Sequence, residues 1–164
     1  MATFKNLLTW TDCLSRSGQH CRKPTCRAMG IQPQDATILV VEDNLQSFVL
    51  ITRLLAYLGV KKCEWKASGW QVLEFAEALP HIDLILMDIF LPEADGYQAL
   101  DKLRAHPRFE DTLIVAVTAD ASIENMERAR SAGFDGFIGK PLDPDRFPHQ
   151  IRRILRGEAV WEPE

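Results

Sequence analysis

The sequence predicts an α/β protein built on a parallel sheet with helices on both faces, and three observations carry that reading. From Ala36 onward, short apolar runs alternate with amphipathic segments, the pattern of strands buried on both faces and joined by crossover helices. Five such units can be counted along the chain. The residues that close the apolar runs are nearly all polar, and in sheets of this kind ligands collect at the carboxyl ends of the strands.

Each element has its own signal. The first strand is the run Ile38 to Val41. Phe48, Ile51, Leu55 and Leu58 then recur at intervals of three and four, one face of a helix that Gly59 ends. A weaker alternating stretch, Cys63 to Lys66, suits an edge strand. Val72, Phe75, Ala76 and Leu79 mark a second helix, closed by Pro80. Leu84 to Met87 is the next strand, and Asp95 can cap a third helix containing Ala99, Leu100 and Leu103. Leu113 to Val117 follows as a strand, then a fourth helix capped by Ser122, containing Ile123, Met126 and Ala129 and stopped by Gly133. Phe137 to Ile138 is the last strand. The last helix opens with Asp143 and Pro144, buries Phe147, Ile151 and Ile154, and places Arg152, Arg153 and Arg156 near its negative end. All strands except the edge one are expected to be buried.

Composition agrees with a globular domain. Hydrophobic residues make up 46% and charged residues 26%, ordinary values that call for neither disulfides nor a structural metal. No apolar run approaches a membrane span, and Met1 to Trp10 lacks the features of a secretion signal. The cytoplasm is the expected compartment. Residues 1–35 show no sustained period and end in the polar stretch Gln32-Pro33-Gln34-Asp35, so they are expected to form a poorly ordered extension. Residues 36–156 would form the domain and residues 157–164 a tail. Five Lys/Arg face two Asp/Glu within the first 35 residues, against 14 and 21 in the remainder, an acidic body that disfavours nucleic acid. Cys13, Cys21, Cys26 and Cys63 include no C-x-x-C pair, and with His20 their spacing matches no common zinc site. Reduced thiols are expected.

The strand ends hold the chemistry. Strand one ends in Glu42-Asp43, the strand Leu84 to Met87 in Asp88, the next in Thr118, and the last in Gly139-Lys140-Pro141. Three carboxylates, a hydroxyl and a lysine therefore converge on one edge. Crowded carboxylates repel one another unless a cation neutralises them. Magnesium suits such a site, because it takes one or two carboxylates together with phosphate oxygens. A carboxylate beside the metal can attack phosphorus, while a lysine and a hydroxyl hold the equatorial oxygens. Asp88 is the central candidate for attack.

The stretches Ile38-Leu39-Val40-Val41-Glu42-Asp43-Asn44 and Leu86-Met87-Asp88-Ile89-Phe90-Leu91-Pro92, with Ala116-Val117-Thr118-Ala119 and Gly139-Lys140-Pro141, resemble response-regulator receiver domains of two-component signalling. The resemblance covers about Ala36 to Arg156. It implies a doubly wound, flavodoxin-like sheet of five parallel strands in the order 2-1-3-4-5. It also implies that Asp88 is the phosphoacceptor and that Glu42, Asp43, Asp88 and the backbone carbonyl of Phe90 hold Mg²⁺. Thr118 and Lys140 would bind the aspartyl phosphate, and Phe137 stands where the family keeps its switch aromatic. Pro141 resembles a proline often preceded by a cis bond, and Gly96 matches a turn glycine. Phe90 and Asp120 would flank the path of hydrolytic water and set the phosphate lifetime.

The expected function is a stand-alone response regulator, catalysing only its own phosphorylation and dephosphorylation. Its donor would be a sensor histidine kinase or a histidine phosphotransfer protein, and a downstream protein would read the switch. Neither nucleic acid nor membrane is expected as a direct partner, and homodimerisation is left open. The alternative is a receiver-like binding module that works without phosphate, disfavoured because the acidic and lysine set is complete. A flavin or nucleotide site fares worse, since Gly133, Gly136 and Gly139 form no phosphate loop and Pro141 stands where Ser or Thr would bind a metal.

Overall fold

A computed structural model of the chain describes residues 30–92 and 95–163. In chain order these form β1 (Thr37–Val41), α1 (Leu45–Leu58), β2 (Lys62–Lys66), α2 (Val72–Ala78), β3 (Leu84–Met87), α3 (Gly96–Ala105), a 3-10 turn (Pro107–Phe109), β4 (Leu113–Thr118), α4 (Ile123–Ala132), β5 (Gly136–Gly139), α5 (Arg146–Leu155) and β6 (Trp161–Glu162). All neighbouring strands run parallel, in the order β2-β1-β3-β4-β5-β6. The chain moves from β1 to β2 on one side and then to β3 on the other, and this reversal opens a crevice above the carboxyl ends of β1 and β3.

The buried strands divide their side chains by alternation. Ile38, Val40, Leu84, Leu86, Val115, Val117 and Ile138 point to one face, where α1 and α5 cover them with Ile51, Leu55, Phe147 and Ile151. Leu39, Val41, Ile85, Met87, Ile114, Ala116 and Phe137 point to the other, under Val72 and Ala76 of α2, Leu100 and Leu103 of α3, and Ala129 of α4. Each large aliphatic or aromatic side chain buried in these layers stabilises the fold by about 1.5–3 kcal/mol. Helix ends follow local chemistry. Asn44, Asp95 and Ser122 accept backbone N–H bonds at the starts of α1, α3 and α4. Asp143 accepts from the N–H groups of Asp145 and Arg146 at 2.8 Å each, anchoring the start of α5.

Three features depart from the sequence reading. The five expected strands are present in the expected order, but the sheet has a sixth: Trp161 and Glu162 pair with Phe137 and Ile138. A strand of two residues has no period to read, and only tertiary pairing reveals it. Second, Ile123 is exposed and α4 buries Ala129 alone, so α4 is lightly packed. Third, Ile31 donates its N–H to the Leu155 carbonyl at 2.9 Å and packs against the layer under α1 and α5. Ile31, ahead of Ala36, is therefore part of the packed domain; a lone apolar residue among Gly, Gln and Pro carries no periodic signal. Expectations for Cys13, His20, Cys21 and Cys26 lie outside the described residues. Cys63 is a free thiol whose pKa is pushed up to about 11 by burial and by Glu64, which keeps it protonated and unreactive.

Candidate phosphoacceptor and metal site

Parallel register brings the strand-end residues to one edge. Val41 lies beside Met87, Met87 beside Ala116, and Thr118 beside Gly139. Past the strands, the Asp88 N–H bonds to the Val41 carbonyl at 2.9 Å and the Lys140 N–H to the Thr118 carbonyl at 2.8 Å, carrying the ladder into the site. Carboxylate oxygens of Glu42, Asp43 and Asp88 all lie within 4.8 Å of one another. Lys140 Nζ donates to Glu42 Oε2 and to Asp88 Oδ2, each at 2.6 Å. Glu42 and Asp88 are buried, whereas Asp43 is exposed on the rim.

Burial raises the Glu42 carboxyl above its ordinary pKa; the Lys140 ammonium offsets this only in part, and the Asp88 charge adds to the rise. Burial alone would lower the Lys140 ammonium, but its bonds to Asp88 and Glu42 outweigh that and hold it above its ordinary value. One lysine thus serves two buried carboxylates, with a third acidic side chain beside them. The donor set fits a hard divalent cation, which would relieve the crowding that one ammonium leaves unbalanced.

The flanking residues behave differently from one another. Thr118 is fully buried, and its Oγ1 accepts the Asp120 N–H at 3.3 Å. Asp120 in turn accepts the Ser122 N–H at 3.3 Å, which draws this exposed side chain toward the start of α4. The Phe90 N–H donates to Asp88 Oδ1 at 2.9 Å, while the residue as a whole is 56% exposed. The Lys140-Pro141 peptide bond is cis. Phe137 is not in the cleft: it pairs with Ala116 inside the sheet and is fully buried in the layer under α2, α3 and α4.

Two further residues support the site, of which the sequence reading named Gly96 and missed Trp65. Trp65, in β2, donates its indole N–H to the Glu42 carbonyl at 2.8 Å and stacks on Phe48, ring centroids 4.5 Å apart. It pins the loop that carries Glu42 and Asp43. The available signal was a tryptophan in an otherwise polar edge strand, a residue whose N–H needs a partner when its ring is covered. Gly96 is the other. A Cβ there would stand 2.7 Å from the Asp88 carbonyl oxygen and 2.8 Å from Ile89 Cα, so only glycine lets α3 begin against the loop that presents Asp88.

Comparison with known proteins gives a consistent result. The sequence profile of the response regulator receiver domain matches residues 38–152. The signal transduction histidine-protein kinase BarA of Escherichia coli is 34% identical over 124 residues, 76% of this chain, which spans 13% of the length of that kinase. The polar-differentiation response regulator DivK of Brucella ovis is 34% identical over 123 residues, 75% of this chain and 98% of that protein. Among solved structures, the receiver domain of a sensor histidine kinase from Pseudomonas aeruginosa, with a magnesium ion coordinated in its active-site cleft, superposes with a TM-score of 0.66 at 32% identity. That match covers 75% of this chain and 98% of the other.

Proposed function

The chain belongs to the family of response regulator receiver domains of two-component systems, signalling switches rather than metabolic enzymes, and on that premise we propose that it accepts a phosphoryl group on Asp88. The observation that carries the proposal is the cluster of Glu42, Asp43, Asp88 and Lys140 at the sheet edge. An Asp88 oxygen would form the new O–P bond as the N–P bond of a phosphohistidine donor breaks, the imidazole nitrogen keeping the electron pair and taking a proton. Such a donor would be a sensor histidine kinase or a histidine phosphotransfer protein in the cytoplasm.

Glu42, Asp43, Asp88 and the Phe90 carbonyl would hold Mg²⁺, which when bound supplies positive charge to the phosphoryl oxygens. Lys140, already on Asp88, would follow the phosphoryl group and pair with its charge. The Thr118 hydroxyl, whose oxygen accepts the Asp120 N–H, would donate its own O–H to the phosphate, and Phe137 would report the change through β5. Differential contacts of this kind shift an equilibrium between two conformations, which a downstream protein reads. Among the described residues no helix is long and apolar enough to cross a membrane.

Acetyl phosphate with Mg²⁺ should add one phosphoryl group to the wild-type chain, and Asp88→Asn should abolish the reaction because the amide keeps the size but loses the nucleophile. Intact-mass measurement checks this, and undiminished phosphorylation of Asp88→Asn would remove Asp88 from its role.

A further inference from the structure

After α5 the backbone turns at Gly157, at φ 84°, and comes back along the exposed edge of β5. The contact is made backbone to backbone: the Phe137 N–H donates to the Val160 carbonyl at 2.7 Å, and Trp161 and Glu162 pair with Phe137 and Ile138. β5 is cut for this approach. A Cβ on Gly136 would stand 2.8 Å from the Val160 oxygen, and one on Gly139 would overlap the Pro163 carbonyl.

Side chains add a pattern to the backbone contact. Val160 is fully buried in the layer under α1 and α5. Trp161 points to the opposite layer, with the Arg130 guanidinium of α4 4.6 Å from its ring centroid. The Glu162 carboxylate gathers Arg153 at 2.7 Å, Gln150 at 2.8 Å and Arg146 at 3.2 Å, all from α5. The groove between α4 and α5 thus reads an apolar side chain, an aromatic one and a carboxylate in consecutive positions. It also extends past what the segment fills: a cavity of about 300 Å³ opens beside Glu162, lined by Pro141, Leu142, Asp143 and Arg146. The resident strand is two residues long, and strands this short at a sheet edge are held weakly.

We propose that this groove is a strand-docking site for an extended, acidic partner segment with the order apolar, aromatic, carboxylate, and that residues 158–163 are its displaceable resident. The partner would add a parallel strand to β5 in their place, the main-chain bonds supplying affinity and the arginine-lined groove supplying selection. This goes beyond phosphoacceptance and does not depend on it.

The test titrates a fluorescein-labelled peptide with the sequence of residues 157–164 into the full-length chain and follows anisotropy. A tethered resident competes at high effective concentration, so Trp161→Ala, which loosens it, should bind the peptide about tenfold or more tightly than wild type. Adding Arg153→Glu to that variant should abolish binding, and a peptide with its Trp and Glu positions exchanged should bind far more weakly. Absence of binding to a Trp161→Ala chain with native circular dichroism overturns the proposal, as does equal binding of the exchanged peptide. Should Trp161→Ala fail to fold, hydrogen exchange on the wild-type chain decides. Excess unlabelled peptide must then speed exchange of residues 158–163 while the Phe137 amide stays protected, and unchanged exchange overturns the proposal.

Discussion

Phe90 stands two residues after Asp88, the proposed acceptor. Its backbone N–H lies on the Asp88 carboxylate and the residue is 56% exposed, which leaves its apolar side chain at the surface beside Asp88. Hydrolysis needs water in line with the bond being broken, and an apolar ring excludes water without orienting it. Asp120, on the other side, spends one carboxylate oxygen on the Ser122 N–H. Phe90→Asn should therefore speed loss of the phosphoryl group severalfold without preventing phosphorylation. Decay of the phosphorylated protein after donor removal, at constant Mg²⁺, checks it; equal or slower decay would shift the timing role to Asp120. At this scale the residues that the fold gathers at the sheet edge were legible, because Glu42, Asp43, Asp88, Thr118 and Lys140 each lie within two residues of the end of an apolar run. Trp65 was not, since its bond to the Glu42 carbonyl joins β2 to the end of β1, 23 residues apart in sequence, and no local pattern encodes that meeting.

The elements divide in the same way. β1, β3 and β4 are continuous apolar runs, α1 and α3 carry full caps and periodic faces, and all were readable. β6 was invisible because pairing with β5, rather than propensity, makes Trp161 and Glu162 a strand. Its hold is partly electrostatic and should depend on pH in a definite direction. Gln150 foremost, then Arg153 and Arg146, hold the Glu162 carboxyl below its ordinary pKa against the opposing effect of burial. Arg153 also serves Glu158, at 3.2 Å, while Arg130 faces the neighbouring Trp161. A carboxyl whose folded pKa is depressed contributes stability that is complete above its unfolded value, about 4.3, and is lost as pH falls through the folded one. Docking of β6 should thus be constant from neutral pH down to that value and weaken only below it. The indole N–H resonance of Trp161 is the reporter. Glu162→Gln should loosen the strand at neutral pH and flatten the dependence; weakening already evident between pH 7 and 5 would show that another group controls the contact.

For the molecule as a whole, the boundary of the folded unit has measurable consequences. The lack of period in residues 1–35 marks an extension, yet the structure ties its last part to the domain. Ile31 bonds to the Leu155 carbonyl at the end of α5 and packs on the core layer there, and a Cβ on Gly30 would stand 2.9 Å from the Arg156 side chain. The two ends of the domain therefore meet at α5, where Ile31 closes the base of the core and β6 closes its edge. Removing residues 1–29 should leave both folding and phosphorylation by acetyl phosphate intact, because residues 30–163 already supply the sheet and both of its core layers. Removing residues 1–33 takes Ile31 as well. Ile31 is half-buried, so its loss should cost about 1 kcal/mol of apolar burial, with the main-chain bond to Leu155 adding about as much again. For a domain of this size that corresponds to a fall in Tm of about 4–8 °C relative to the shorter truncation. Thermal unfolding of the two truncated proteins side by side is the measurement. Equal Tm values would mean that Ile31 rests on the domain without supporting it, and a loss of soluble protein on removing residues 1–29 would show that the extension is part of the fold.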